Sequence, residues 1–186
     1  MNSSKSAQLL MTAHNYEEGN HRVFVVKPGI DTRDGAFVKS RALDIERPVD
    51  LVVLPDDHWF IYKEVEGSDY AAVLVDEAQF LTEQQVDELG AIVDDLQIPV
   101  LAYGLRTDAF GSLFEGSKRL FETADKFQEL KTICPCCSKK AIINMRMGAD
   151  GQPVFDGDQL SPGTHYLPVC RKYYNELKSG LVTYRG

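Results

Sequence analysis

No run of about 20 apolar residues occurs in this 186-residue chain, which excludes a membrane-spanning helix. The first residues lack a basic segment followed by an apolar one, so no secretory leader is expected and the reading is of a cytoplasmic protein. Positive charge is in deficit. Lys+Arg number 20 against Asp+Glu 28, a net charge of −8 with a pI near 5.0, which repels a polyanion and argues against a nucleic-acid duplex as partner. A small nucleotide remains open. Internal repeats and low-complexity tracts are absent. Cysteine is scarce, and its four copies, Cys134, Cys136, Cys137 and Cys170, all lie in the last third. In a reducing compartment that clustering reads first as metal binding and marks a second structural unit. The length suits one principal domain with a small appendage.

What is there has α/β texture. Leu9, Leu10, Ala13 and Tyr16 recur at helical intervals from Ser6 to about Glu18, and Gly19 stops the pattern. "RVFVVK" (Arg22 to Lys27) is a β-branched run closed by Pro28-Gly29, and "YAAVLVDE" and "IPVLAYGL" are two more continuous apolar runs. Continuous runs fit strands covered on both faces, as in a parallel sheet. Between the last two, Val86, Leu89, Ile92, Val93 and Leu96 form one helical face, and Thr82 with Gln85 has the form of a capping box. Strand, helix, strand is a βαβ crossover. "DTRDGAFVKSR" reads as polar loop, and the region of Trp59, Phe60 and Tyr62 reads as strand or helix. After Lys131 the chain turns to cysteines, Pro and Gly turns and short β-like pieces. The expected division is residues 1–132, 133–176 and a tail of 177–186.

Three stretches carry chemistry. In "LVDEAQF", Asp76 ends a buried strand where α/β folds bind ligands and can hold Mg²⁺, while Glu77 projects differently and can take a proton from a hydroxyl. The plain alternative is an acidic strand end before a helix. In "SSKS", Lys5 and Ser6 match the end of the phosphate loop G-x-x-x-x-G-K-[ST], with a helix behind them to supply an anion site. Ser4 stands at the last glycine position, and a frayed polar terminus is the alternative for these residues taken alone. In "CPCCSKKA" and "VCRKYY", Cys134 and Cys137 have zinc-knuckle spacing and Cys170 can return as a third thiolate. The fourth position is open among Cys136, His165, Tyr173 and water.

In order and spacing, "MNSSKSAQLL…HNYEEG", "DTRDG", "LVDEAQFL", "IPVLAYGLRTD", "LFEGSKRL", "LKTICPCCSKKA" and "PVCRKYY" resemble the type II thymidine kinases over essentially the whole chain. The resemblance implies a P-loop α/β kinase domain with a parallel sheet flanked by helices. It adds a small zinc-ribbon-like subdomain whose lasso loop closes over a nucleoside. It further implies ATP with Mg²⁺ as phosphoryl donor, thymidine as acceptor, dTTP as feedback inhibitor, structural Zn²⁺ and a homotetramer. Carried over residue by residue, Glu77 is the catalytic base and Asp76 the magnesium-associated acid with Ser6. Ser3, Ser4, Lys5, Ser6, Asp76, Glu77, Ala78, Gln79 and Arg41 form the ATP and phosphate set. Phe80, Phe114 and Tyr166 contact the thymine, and Cys134, Cys137 and Cys170 hold zinc.

Three departures stand out against the family pattern. The family's first strand and loop glycine precede the point where this chain begins, which is expected to leave an open slot inside the sheet. Ser4 adds a Cβ where backbone must approach phosphate. Tyr173 occupies the place of the family's fourth zinc ligand, with Cys136 as an extra thiol. The competing readings are a catalytically impaired, thymidine-kinase-like nucleotide-binding protein and an unrelated P-loop ATPase with a zinc ribbon.

Overall fold

The computed structural model describes residues 4–30, 35–40, 43–159 and 165–184. They form two compact units, one of Ser4–Arg106 with Phe114–Phe127, the other holding Thr107–Leu113 and the chain from Gln128 onward.

The first unit opens with α1 (Lys5–Glu18), which buries Ala7, Leu9, Leu10 and Ala13 on one face. Its stop is a left-handed turn at Asn20 (φ 57°) rather than at Gly19, with the His21 N–H returning to the Tyr16 carbonyl at 2.9 Å. Then come β1 (Arg22–Pro28), β2 (Phe37–Ser40), β3 (Ile45–Pro48), β4 (Leu51–Val53), α2 (Phe60–Val65), β5 (Tyr70–Val75), a 3₁₀ turn at Ala78–Phe80, α3 (Glu83–Leu96), β6 (Val100–Ala102) and α4 (Glu115–Thr123). Strands β4, β1, β5 and β6 hydrogen-bond in that order, all parallel.

Both sheet faces are covered, which is why β1 and β5 read as unbroken apolar runs. Val23, Val25, Ala72 and Leu74 face the α1 residues Leu9, Leu10 and Ala13. Phe24, Val26, Val73 and Val75 alternate onto the opposite face, against Ile61, Val86, Leu89 and Ile92 of α2 and α3. The capping box at Thr82 is present in both directions: the Gln85 N–H donates to Thr82 Oγ1 at 3.2 Å, and the Thr82 N–H to Gln85 Oε1 at 3.1 Å.

Two expectations are corrected. The four described strands are contiguous and leave no open slot, since β1 bonds both β4 and β5, and β5 bonds β6. The stretch read as polar loop contains β2, which pairs antiparallel with β3; its buried Val38 and Ser40 alternate with outward residues, too short a pattern to stand out in sequence. Asp31–Asp34 and Arg41 lie outside the described residues. The Trp59–Tyr62 region resolves as helix α2. Two buried polar residues of α3 secure that helix. Glu88 accepts the backbone N–H groups of Trp59 (3.0 Å) and Tyr62 (2.8 Å), and Gln85 donates to the carbonyls of Leu54 and Asp57.

The second unit contains β7 (Thr132–Ile133), β8 (Lys140–Ala141), β9 (Ile143–Met147), β10 (Pro153–Val154), β11 (His165–Val169) and α5 (Arg171–Lys178). Strands β7 and β8 form a hairpin, and β10, β9 and β11 an antiparallel sheet in that order. Its core gathers Cys134, Ile143, Met145, Met147, Val169, Cys170, Tyr174 and Leu177. Thr107 and Leu113 pair across the segment that joins this unit from earlier in the chain. Among the described residues no helix is long and apolar enough to cross a membrane.

Candidate active site and metal centre

The site in the first unit is built where β5 ends. Asp76 continues the strand, its N–H bonded to the Val26 carbonyl at 3.0 Å, and its side chain is buried. Both of its carboxylate oxygens lie within reach of the Ser6 hydroxyl, at 3.3 and 3.4 Å. Burial, and then the neighbouring Glu77 charge, push the Asp76 carboxyl up to about 6; Lys5, a backbone N–H bond from Glu77 and Lys27 pull the other way. Lys5, Ser6 and Asp76 therefore form one electrostatic group at the N-terminus of α1. That end of the helix presents free N–H groups and the positive end of its dipole.

Glu77 is half-buried and sits in the left-handed region at φ 50°, ψ 37°. This is a conformation that a non-glycine residue holds only when its surroundings over-determine it. Those surroundings are specific. Gln79 Nε2 donates to Glu77 Oε2 at 2.6 Å, Gln79 Oε1 accepts the Leu105 N–H at 2.9 Å, and the Ala78 N–H reaches the Tyr103 carbonyl at 2.9 Å. Gly104 lets that second strand end approach, because a Cβ there would lie 3.0 Å from Gln79 Oε1.

The start of α4 closes on the same turn. A Cβ on Gly116 would stand 2.6 Å from the Ala78 carbonyl oxygen and 2.7 Å from that of Leu81. Just before it, Phe114 meets Phe80 edge to face, with ring centroids 5.5 Å apart and planes at 85°. Phe114 is buried and Phe80 half-buried. At the other end of the group, Ser4 is also left-handed (φ 59°, ψ 19°) and makes no side-chain cap.

In the second unit the Cys134, Cys137 and Cys170 sulfurs all lie within 4.8 Å of one another. The turn between the first two is tight, with the Cys134 N–H bonded to the Lys139 carbonyl at 2.7 Å and the Ser138 N–H to the Cys134 carbonyl at 3.0 Å. Burial pushes the Cys134 thiol up, but hydrogen bonds from the Cys170 and Cys136 backbones and from the Cys137 and Cys170 thiols outweigh it, and the net shift is downward. A thiol biased toward thiolate beside two others is a soft donor set suited to zinc, whose bonds to sulfur are about 2.3 Å. Neither Cys136 nor His165 joins the cluster. Cys136 and Tyr173 bond to each other through their side chains, and burial, then that bond, push the Tyr173 hydroxyl up to about 12.

The sequence model of the family described as thymidine kinase matches residues 1–174. The chain belongs to the thymidine kinase family. It is 47% identical over 183 residues to the thymidine kinase of Enterobacteria phage T4, covering 97% of this chain and 94% of the relative. It is 46% identical to that of Lactiplantibacillus plantarum (94% and 91% covered) and 43% identical to that of Streptococcus pyogenes (94% and 92%).

Of the residues singled out in this thymidine kinase family member, the structure brings together Lys5, Ser6 and Asp76; Glu77 and Gln79; Phe80 and Phe114; and the three cysteines. Ser3 and Arg41 lie outside the described residues. Tyr166 belongs to the second unit, in β11, opposite Arg146 of β9. Sequence reasoning missed Lys27, which is buried at the end of β1 with Nζ donating to the Gly35 and Phe37 carbonyls at 3.3 and 3.4 Å. Its signal was a lysine ending an otherwise apolar run.

Proposed function

We propose that this protein is a thymidine kinase that transfers the γ-phosphoryl group of ATP to the 5′-hydroxyl of thymidine. The observation that carries the reading is Glu77, held in a left-handed turn by the Gln79 amide, next to Asp76 and its Ser6 contact at the N-terminus of a helix. Phosphoryl transfer asks for positioning and charge neutralisation more than for covalent chemistry. Lys5 and the amides of the first turn of α1 offset phosphate charge. Glu77 accepts the proton of the 5′-hydroxyl, with Gln79 fixing its direction. Ser6 and Asp76 would hold Mg²⁺, which when bound neutralises charge on the phosphate oxygens. The residues fit this role, since a buried carboxylate lifted toward neutrality by desolvation is the kind that a divalent cation returns to its ionised form.

By the resemblance, Phe80, Phe114 and Tyr166 are the residues that contact the thymine. Ser3, Ser4, Ala78 and Arg41 complete the phosphate set by resemblance. Cys134, Cys137 and Cys170 would carry a structural zinc ion whose remaining position is open to Cys136, Tyr173 or water. We further take the enzyme to be cytoplasmic, homotetrameric and inhibited by dTTP, as the resemblance implies.

The deciding experiment is transfer of labelled phosphate from ATP to thymidine, with elemental analysis for zinc. Formation of dTMP is expected, and nucleotide binding without turnover would favour the impaired-enzyme reading. That second reading has one observation behind it, the Cβ of Ser4 in a conformation that suits glycine.

A further inference from the structure

Residues 157–159 of the second unit lead toward β11 and Tyr166, and two buried polar side chains grip them. Arg146, in the middle of β9, is 6% exposed, and its Nη2 donates to the Asp158 carbonyl. Asp108 is also 6% exposed, and its Oδ2 accepts the side-chain amide of Gln159 at 3.1 Å. Both anchors are themselves fixed. The Arg146 guanidinium lies 5.1 Å from the centre of the Phe110 ring. Asp108 Oδ1 accepts the Phe110 and Ser112 N–H groups at 2.9 Å each, which sets the turn carrying that ring. Gly157 completes the grip at φ 108°, a backbone region open essentially to glycine, with its missing Cβ position 3.4 Å from Arg146 Nη1.

The register makes this more than local packing. Arg146 stands opposite Tyr166 on one side and Val154 on the other, so the three side chains share one face of the β10-β9-β11 sheet. The opposite face, with Met145 and Met147, is the apolar core. Arg146 Nε is buried with no hydrogen-bond partner among the described residues, and none of their carboxylates pairs with the guanidinium. A charge placed this way is unfavourable where an aliphatic side chain would pack as well, and what it gains is the hold on Asp158 and the stacking on Phe110.

We infer that Arg146 and Asp108 are positioning residues for the nucleoside: they clamp the 157–159 limb and the sheet face bearing Tyr166, and so set thymidine affinity without touching phosphate. This rests on the thymidine kinase reading above. The test pairs kinetics with hydrogen exchange on the full chain. Arg146→Met is expected to raise the thymidine KM about tenfold while the ATP KM stays within about twofold. Amides at 155–159 should exchange faster, those at 143–147 should not, and zinc content should hold. Arg146→Lys, which keeps a donor for the Asp158 carbonyl, should fall between the two. Should Arg146→Met fail to fold, Gln159→Ala, at an exposed position, removes one tie alone and should raise the thymidine KM about threefold with faster exchange at 155–159. Unchanged exchange at 155–159, or equal shifts in the two KM values, overturns the proposal. A parent enzyme that does not phosphorylate thymidine would sink the functional reading, while the exchange measurement would still decide the clamp.

Discussion

Gln79 donates a 2.6 Å hydrogen bond to Glu77 two residues before it, and its other end accepts the Leu105 N–H at 2.9 Å. One buried amide thus orients the candidate base and locks it to the neighbouring strand end.

Removing the base while keeping its shape isolates its role. Glu77→Gln should lower thymidine turnover by about 10²-fold or more with little change in ATP KM. Steady-state kinetics checks this, and unaltered turnover would refute the assignment.

The orienting amide should matter through the base. Gln79→Ala frees Glu77 and leaves the half-buried Leu105 N–H without its partner, a loss of about 1 kcal/mol. We expect lower stability in a denaturant melt and a kcat drop smaller than that of Glu77→Gln. The double variant should be no slower than Glu77→Gln alone, and additive losses would separate the two residues.

Ser4 gives a conformational prediction. At φ 59° glycine is at ease, serine pays a modest strain and a β-branched residue pays most. Ser4→Gly should keep or lower the ATP KM, whereas Ser4→Val should raise it and cost about 1 kcal/mol or more of stability. Equal behaviour of the two would mean that this turn does not shape the phosphate site.

Asp76 gives a pH dependence. Its carboxyl is pushed up to about 6 from 3.8 in the folded protein, so the folded state holds a proton that the unfolded state releases. Without divalent cation, folding stability from this group is highest below pH 4 and falls as pH rises toward 6, by roughly 2–3 kcal/mol in all. Thermal melts in chelator should show this slope for the parent and not for Asp76→Asn, which should be the more stable protein at pH 8 and inactive. A parent and variant with parallel pH profiles would contradict the shift. Magnesium should stabilise the parent more at pH 8 than at pH 5.

Metal removal should act on the second unit. Among the described residues its core gathers eight buried side chains, two of them the cysteines Cys134 and Cys170, so strong chelation should speed amide exchange across 132–147 and 165–178 and leave that of β1 and β5 unaltered. Cys134→Ala should reproduce the effect. Insensitivity to both would mean that the thiol cluster carries no ion.

Much of this was legible because it rests on local patterns. The strands β1 and β5, the capping box at Thr82 and the helix ending near Glu18 follow from periodicity and from residues a few places apart. The hairpin of β2 and β3 was not legible, since four-residue strands with mixed exposure look like loop until their partner is known. The site divides the same way. Asp76 and Glu77 announce themselves at a strand end, and the cysteines by their spacing. Lys27 and Glu88 do not, because each is buried by partners outside its own element, the Gly35 and Phe37 carbonyls for one and the Trp59 and Tyr62 N–H groups for the other.

The notch at Gly116 limits how this enzyme could be altered. Three main-chain oxygens of the turn bearing the base crowd the place where any other residue would put its first carbon, the nearest at 2.6 Å. Even alanine would have to push helix and turn apart, displacing the carboxylate without replacing a single atom of it. Attempts to reshape acceptor preference by varying neighbouring aromatics can reach Phe114 two positions earlier, but must leave this one bare.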